Sequence, residues 1–253
     1  MTPRAVVRRP SPRLSEGLTT HIEPRPVDAG LALRQWQAYC DALRTAGWEV
    51  VEAPPADEHP DGVFVEDVAV AYGDTVVITR PGAPERAGEV EGMAELFSGL
   101  GRRVVDLPAG HLDGGDVLKH DDLVRVGLGG RTDEAGVDAL RAVLAPLGAR
   151  VEAVPVDRAL HLKSAVTALP DGTVIGWEPA APAHEALGEV LAMPEEGGAH
   201  VVLLGGERLL MAASAPRSAD LLRERGYEVV TVDVSEFEAM EGCVTCLSVR
   251  LRD

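Results

Sequence analysis

A repeated order of helix and strand patterns constrains the fold of this chain more than any other feature. A helix is predicted over residues 32–46, with apolar or small residues at helical spacing on one face: Ala32, Trp36, Cys40, Leu43 and Gly47. Three strand-like stretches follow this helix: WEVVEAP (48–54), VFVEDVAVAY (63–72) and TVVITRP (75–81). The first unit is therefore one helix followed by three strands.

The same order returns four times along the chain. A second helix is predicted over 89–100, with Val90, Met93, Phe97 and Leu100 on one face, and a third carries Val137, Leu140, Leu144 and Leu147. Shorter helices are predicted around His184 to Leu191 and Ser218 to Arg225. The fifth unit lacks its last strand, and we expect AVVRRP (5–10), near the N-terminus, to supply it.

Five such units, completed by the two ends of the chain, predict a closed ring. Closure removes the exposed sheet edges that otherwise invite aggregation. Each unit cannot bury its apolar face alone and needs its neighbours, so we predict a single domain over residues 1–253. A doubly wound α/β sheet is the alternative. Its parallel strands would be joined by helices alone, whereas here strand pairs occur between the helices.

Composition excludes several classes of partner. The net charge of −17 argues against nucleic-acid binding, which needs a basic surface. No apolar run approaches the roughly 20 residues of a membrane span, and the N-terminal stretch lacks the apolar core of a signal peptide. Three cysteines do not form a disulfide framework, so a reduced, cytoplasmic protein is expected.

Polar residues occupy the same place in several units, in the turn that precedes or opens a strand. By unit, they are Asp61, Glu66 and Asp67 in the first; His111, Asp113 and Asp116 in the second; His161 and Lys163 in the third; and Cys243 and Cys246 in the fifth. Rotation about the axis of a ring would bring these positions together. The sequence therefore predicts a central site that combines a thiol, an imidazole and several carboxylates.

Each of these residues also has a structural interpretation. Cys246 alone is compatible with a small buried apolar residue, the commonest place for a free cysteine. The Cys243–Cys246 pair has no second Cys-x-x-Cys or histidine pair for zinc. His161 alone fits a structural histidine, and the acids alone fit solvated turns. GLGGRT (127–132) misses the glycine spacing of a nucleotide-binding loop.

Six motifs together resemble the dimethylarginine dimethylaminohydrolase family of the guanidine-modifying enzyme superfamily. In chain order they are DGVFVEDVAV, ITRPGAPER, HLDGGDVL, GRTDEAG, LHLKSAVTAL and VTCLSVRL. The resemblance covers the chain from about Leu18 onwards. It implies an α/β fold, a five-bladed α/β propeller of ββαβ units with pseudo-fivefold symmetry. It also implies hydrolysis of Nω-methylated arginines to citrulline and methylamine or dimethylamine.

The resemblance also implies roles for individual residues. Cys246 in VTCLS matches the nucleophile, His161 in HLKS the general acid/base, and Asp113 in HLDGGD the carboxylate that supports it. Glu66 and Asp67 match acids near the substrate guanidinium, and Asp61 matches the residue that holds the substrate's α-amino group. Arg86 and Arg131 match the arginines that bind the substrate's α-carboxylate. Leu18 matches a residue of the lid. Cys243 matches no functional position and is left as structural.

These residue types suit chemistry at a guanidinium carbon. Its positive charge is spread over three nitrogens, so attack requires a strong nucleophile such as a thiolate. Carboxylates orient the cation through charge-assisted hydrogen bonds. No metal or organic cofactor is expected, and the partner is a small guanidine amino acid; the resemblance also allows a homodimer. Two alternatives stay open, a deiminase-like hydrolase of another guanidine and a non-catalytic binder of cationic amino acids.

Overall fold

The computed structural model describes residues 2–182 and 187–252 of the 253-residue chain. Fifteen strands in this part form five separate three-stranded sheets. The strands are β1 (Arg4–Val7), β2 (Glu49–Glu52), β3 (Ala69–Tyr72), β4 (Thr75–Ile78), β5 (Arg103–Asp106), β6 (Val117–His120), β7 (Leu123–Leu128), β8 (Arg150–Pro155), β9 (Val166–Ala168), β10 (Val174–Gly176), β11 (Val190–Ala192), β12 (Val202–Gly205), β13 (Arg208–Ala212), β14 (Glu228–Val232) and β15 (Val249–Leu251).

All five sheets share one topology, which confirms the predicted propeller of ββαβ units. The first two strands of each sheet pair antiparallel, and the third lies parallel to the second. The sheets are β3-β4-β5, β6-β7-β8, β9-β10-β11, β12-β13-β14 and β15-β1-β2. Parallel neighbours require a crossover connection, and in four of the sheets a described helix lies within it. The connection between β10 and β11 includes residues 183–186, outside the described residues.

The ring closes through the two ends of the chain, as predicted. Strand β1 lies between β15 and β2, with Arg4 opposite Leu251 on one side and Glu49 on the other. The pairing is antiparallel to β15 and parallel to β2. The N-terminal strand therefore completes the sheet that the last strand begins.

The helices match the predicted positions but not always the predicted ends. They are α1 (Ala29–Thr45), α2 (Met93–Gly99), α3 (Glu134–Leu144), α4 (Pro216–Glu224) and the short α5 (Ser235–Glu238). Helix α1 begins after Asp28, whose side chain accepts a hydrogen bond from the backbone N–H of Leu31 at 2.9 Å. Helix α2 begins later than predicted, because Gly92 has a φ of +73° and breaks the pattern.

Three sequence expectations about helices need correction. Gly47 lies in the turn after α1 with a φ of +90°, and Leu147 follows α3 in a 3₁₀ turn that contains a proline, where it is exposed. The predicted helix around His184 to Leu191 falls partly on residues 183–186, outside the described residues. Its last two positions belong to strand β11, Val190–Ala192, which pairs with β10.

A short 3₁₀ turn precedes the first strand of four sheets. These turns are Val65–Val68, Gly114–Asp116, Leu162–Ser164 and Glu196–Ala199. In the fifth sheet a turn over residues 244–247 precedes β15. The fold therefore gathers five equivalent turns, and these carry most of the predicted site residues. No helix in the described part of the chain combines the length and the apolar character needed to cross a membrane.

Candidate active site

A buried histidine and a buried aspartate form an ion pair in the site. Nε2 of His161 lies 3.0 Å from Oδ2 of Asp113, and both side chains are buried. Oδ1 of Asp113 accepts the backbone N–H of Gly82 at 2.8 Å, which fixes the carboxylate. Arg131 lies further away, with Nη1 3.8 Å from Oδ2 of Asp113. The predicted pairing of His161 with Asp113 is therefore present in the structure.

Asp67 faces the other side of the imidazole. Its Oδ1 lies 3.9 Å from Nδ1 of His161 and accepts the backbone N–H of Gly115 at 2.9 Å. A Cβ atom added to Gly115 would lie 2.6 Å from both Oδ1 of Asp67 and Nδ1 of His161. Only glycine therefore lets the acid and the imidazole approach here.

The acids around His161 keep it protonated. Burial opposes protonation, but the carboxylates of Asp67, Asp116 and Asp113 together outweigh it and raise the pKa of His161 to about 9. Burial likewise opposes ionisation of Asp113, and the hydrogen bond and charge of His161 nevertheless hold its pKa below the ordinary value. At neutral pH the pair is an imidazolium beside a carboxylate.

Asp116 fixes the turn that carries His161. Its Oδ1 accepts the backbone N–H of Leu162 at 2.8 Å, and its Oδ2 accepts the hydroxyl of Thr132 at 2.6 Å. Burial raises the pKa of Asp116 to about 6. His111, which shares the predicted position in the repeat, does not join the site. It is exposed, and its Nδ1 lies 3.0 Å from Oδ2 of Asp133 at the start of α3.

Cys246 is buried beside a second thiol. Its Sγ lies 3.3 Å from the Sγ of Cys243, and its carbonyl accepts the backbone N–H of Glu66 at 3.1 Å. The hydrogen bond to Cys243, burial, and the negative charges of Glu66 and Asp67 raise the pKa of the Cys246 thiol. The charge of Asp67 therefore acts on both Cys246 and His161, and the thiol keeps its proton in the resting site.

Arg86 forms a buried network of ion pairs. Nε and Nη2 bind both oxygens of Glu89 at 2.9 and 2.7 Å, and Nη1 binds Oδ2 of Asp67 at 2.7 Å. Its remaining contacts are long ones, from Nη2 to the carbonyls of Asp61 and Phe64. The arginine predicted to bind a substrate carboxylate is thus held by protein acids, among them the acid predicted to bind the substrate guanidinium.

Glu66 belongs to a separate network. Its Oε1 accepts Lys163 Nζ at 2.6 Å and Arg250 Nη2 at 2.7 Å, while Oε2 is buried without a hydrogen-bond partner. Sequence reasoning missed Arg250 and Glu89. Arg250 lies inside the VTCLSVRL motif, and Glu89 lies three residues after Arg86, so both carried a sequence signal that was not used.

Asp61 holds the segment predicted as a lid. Its Oδ2 accepts the backbone N–H of Leu18 at 3.0 Å, and burial raises the pKa of its carboxyl. The same segment is also held by Glu241, whose Oε1 accepts the backbone N–H groups of Thr20, His21 and Ile22. Leu18 and Asp61 are therefore brought together, at the edge of the site.

One group of side chains has the donor atoms of a metal site. Asp67, Asp113 and His161 each offer one ligand atom, and these atoms lie within 4.8 Å of one another. Nε2 of His161 is paired with Oδ2 of Asp113, so the same group also has the hydrogen-bonding pattern of an acid/base pair.

Comparison with known proteins agrees with this geometry. No protein-family profile matches the chain. It is 60% identical to the N(G),N(G)-dimethylarginine dimethylaminohydrolase of Streptomyces coelicolor, over 99% of this chain and 97% of that protein. It is 32% identical to the enzyme of the same name from Pseudomonas aeruginosa, over 97% and 98% of the two chains.

Comparison with solved structures points to the same enzymes and shows the same fold. A crystal structure of a dimethylarginine dimethylaminohydrolase histidine-to-glycine variant, as an adduct with S-methyl-L-thiocitrulline, superimposes with a TM-score of 0.91. It is 30% identical and covers 99% of this chain and 100% of that one. The N-terminal domain of a cyanobacterial arginine dihydrolase shares the fold, with a TM-score of 0.83 at 20% identity over 100% and 98% of the chains.

The fold and the relatives together define an α/β-propeller hydrolase of C–N bonds, in which Cys246, His161 and several acids are buried. Within that class, the chain belongs to the dimethylarginine dimethylaminohydrolase family.

Proposed function

We propose that the protein hydrolyses Nω-methylated L-arginines to L-citrulline and methylamine or dimethylamine, through a covalent thiouronium on Cys246. The observation that carries this proposal is the placement of His161 between Asp113 and Asp67, an acid whose charge also acts on the Cys246 thiol. This is the geometry needed for a nucleophile and a general acid to act on one cation held by an acid.

The substrate guanidinium binds Asp67. In the resting protein Nη1 of Arg86 forms an ion pair with Oδ2 of Asp67. The protein's own guanidinium therefore takes the position that the substrate guanidinium takes on binding. Binding replaces this ion pair with a similar one, which limits the cost of desolvating the acid. Glu66, whose Oε1 is held by Lys163 and Arg250, adds negative charge nearby.

The amino-acid end of the substrate lies towards Arg131, Asp61 and Leu18. Arg131 and the displaced Arg86 take the α-carboxylate, because a guanidinium matches a carboxylate with two parallel hydrogen bonds. Asp61 takes the α-ammonium group, and Leu18, on the segment held to Asp61, covers the bound molecule. These contacts fix the reacting carbon near the sulfur.

The reaction needs two proton transfers at His161. The bound cation lowers the pKa of Cys246, which loses its proton to solvent and attacks the guanidinium carbon as a thiolate. His161, already protonated, gives its proton to the departing amine as the C–N bond breaks. A thiouronium then remains on Cys246.

Hydrolysis of that intermediate restores the enzyme. Neutral His161 takes a proton from water, and the resulting hydroxide adds to the thiouronium carbon. The C–S bond breaks, the thiolate leaves, and the product loses a proton to become citrulline. Asp113 stabilises the imidazolium at both stages, since its carboxylate lies 3.0 Å from Nε2.

Mass spectrometry after rapid acid quench tests this proposal. Brief mixing with Nω,Nω-dimethylarginine should give a thiouronium adduct on the peptide that contains Cys246. The Cys246→Ser variant should give none, and the Cys243→Ala variant should still form it. An adduct on Cys243 instead, or citrulline formation by Cys246→Ser, would overturn the nucleophile assignment.

Assays on the same purified protein distinguish the two alternative functions. A deiminase-like hydrolase would release ammonia from arginine faster than methylamine from methylated arginine. A non-catalytic binder would give heat on titration with methylated arginine but no citrulline. The Cys–His arrangement favours catalysis over binding alone, and the substrate panel separates the two hydrolases.

The proposal also covers the domain organisation, cellular location and assembly of the enzyme. A single domain over residues 1–253 is supported by the pairing of β1 with β15, which joins the two ends of the chain. A reducing, cytoplasmic location is supported by three cysteines that are all free thiols. The state of assembly, including a homodimer, is decided by sedimentation of the purified protein.

A further inference from the structure

A cavity lies on the axis of the ring. Its walls come from the first strand of each sheet or from residues beside it, including Ala71, Leu118, Thr167, Val201 and Arg250. Thr245 and Glu66 also line it, but Cys246, Asp67 and His161 do not. We call this cavity the axial channel. It shares Glu66 with the predicted binding residues, and it adjoins Cys246 and Asp67, which follow Thr245 and Glu66 in the sequence.

The axial channel concentrates positive charge in an acidic protein. Four cationic side chains line it, Lys119, Lys163, Arg250 and Arg252, against one carboxylate, Glu66. The whole chain carries a net charge of −17 and has 24 lysines and arginines. Only two of these are lysines, and both line this one cavity.

Two of these cations lack a carboxylate partner. Glu66 is shared by Lys163 and Arg250. The Lys119 amine donates to the carbonyl of Ala71, and Arg252 donates to the carbonyl of Leu203 and stacks over Trp48. Within residues 2–182 and 187–252, no carboxylate forms an ion pair with either side chain.

The positive charges repel one another. Burial and the charges of Lys163, Arg250 and Arg252 lower the pKa of Lys119, and burial and Arg250 lower that of Arg252. Lys119 is nevertheless an exposed residue. An anion entering from that side would relieve the repulsion without rearrangement of the fold.

We propose that the axial channel binds a small inorganic oxyanion of the phosphate type, with Lys119, Lys163 and Arg252 as its ligands. The cavity volume of about 100 Å³ sets the size of the occupant. A single water needs about 10–15 Å³ on the same measure, so the channel holds several waters or one oxyanion but no nucleotide. Ammonium and guanidinium groups together are the usual protein ligands of phosphate.

Chemical labelling of the wild-type protein tests this site without a variant. N-acetoxysuccinimide acetylates accessible amines, and peptide mass spectrometry gives the rate at each lysine. Inorganic phosphate, at constant ionic strength set with sodium chloride, should slow acetylation of Lys119 by about tenfold when its concentration is ten times the dissociation constant. The α-amino group serves as an internal reference for reagent consumption. Equal rates at Lys119 with and without phosphate would overturn the proposal.

Variants test the ligands. Phosphate should raise the melting temperature of the wild type and of Arg34→Gln, which removes an exposed cation from α1. The increase should be lost in Lys119→Gln and in Arg252→Gln. Saturating citrulline, which occupies the arginines of the active site, should leave the increase in place. An increase that persists in both channel variants, or that citrulline abolishes, would place the anion elsewhere.

Discussion

Arg86 and Asp67 form a buried ion pair across the candidate active site, with Nη1 of the arginine 2.7 Å from Oδ2 of the aspartate. The acid proposed to bind the substrate guanidinium is therefore already bound to a guanidinium of the protein. Both side chains are almost fully buried, so neither charge is screened by solvent.

Replacing Arg86 should separate its proposed binding of the substrate carboxylate from its competition with the substrate for Asp67. In Arg86→Gln, we expect KM for Nω,Nω-dimethylarginine to rise by about 10–100-fold, since a carboxylate contact of about 1.5–3 kcal/mol is lost. The inhibition constant of N,N-dimethylguanidine, which has no carboxylate, should stay level or fall, because Asp67 becomes free. Steady-state kinetics measures both.

Arg80→Gln is the matched control for Arg86, since Arg80 is exposed on a neighbouring stretch of the chain. Its kinetic constants should equal those of the wild type. A parallel rise in both constants in Arg86→Gln would contradict the displacement of Arg86 by substrate. Loss of Arg86 also leaves Asp67 and Glu89 without their cation, so the melting temperature of the variant should fall.

Cys246→Ser should lose turnover by at least about 10³-fold, since a hydroxyl at this pH is a far weaker nucleophile than a thiolate. The circular dichroism spectrum and melting temperature should stay close to the wild type, because the change is nearly isosteric. Cys243→Ser is the comparison, with a thiol only 3.3 Å away. If that variant is the inactive one, the roles of the two cysteines are reversed.

His161→Gly should bind substrate but expel the amine on the order of 10²–10⁴-fold more slowly, the usual contribution of a positioned acid/base. Single-turnover release of dimethylamine is the measurement. His111→Gln provides the control, because His111 is exposed and pairs with Asp133 away from the site. A His161→Gly rate near that of the wild type would remove the imidazole from the mechanism.

The charge of His161 predicts how stability changes with pH. Its pKa in the folded protein is about 9, above the ordinary 6.5 that applies to the unfolded chain. The protonated form therefore stabilises the fold fully below pH 6.5, and this contribution is lost as the pH rises through 9. We expect a decrease on the order of 1–3 kcal/mol in the free energy of unfolding over that range.

Urea unfolding at a series of pH values measures this decrease. It should be much smaller in His161→Gln and unchanged in His111→Gln. Nitrogen-15 chemical shifts of the His161 imidazole give the pKa directly. A pKa near or below 6.5 would mean that burial outweighs the surrounding carboxylates.

Glu241 should control the opening of the segment that carries Leu18. Its carboxylate accepts three successive backbone N–H groups, from Thr20 to Ile22. In Glu241→Asn the shorter side chain loses these contacts, while asparagine tolerates the φ of +61° at this position. Thermolysin, which cleaves before large apolar residues, should then cut the His21–Ile22 bond several-fold faster.

Glu207→Asn, at an exposed turn elsewhere, should leave that cleavage rate unchanged. KM for methylated arginine should also rise in Glu241→Asn, because the segment closes over Asp61 less often. Cleavage at the wild-type rate would show that the Asp61–Leu18 contact alone holds the segment.

The sequence predicted the ring because its strands and helices are short, periodic and repeated. It did not predict β11, because three residues, VLA, inside an apolar stretch do not distinguish helix from strand. Helix α3 ended before Leu147 because a proline follows it, a signal that helical spacing alone does not weigh.

The site was predicted in part for a similar reason. Cys246, His161, Asp113 and Asp67 occupy equivalent turns, so symmetry brings them together. Arg250 pairs with Glu66, and Arg86 with Asp67, from distant parts of the chain, and a single sequence does not encode such side-chain directions in a local pattern. Glu89, in contrast, lies only three residues after Arg86, a local spacing that sequence reasoning did not use.

The position of β1 between β2 and β15 has a consequence for biosynthesis. Strand β1 is synthesised before the other strands, yet one of its two edges stays unpaired until β15 has been made. Cys246 lies just before β15, so the proposed nucleophile is placed only when β1 and β15 pair. A nascent chain that has not reached β15 therefore carries the acids and the imidazole without the proposed thiol in place.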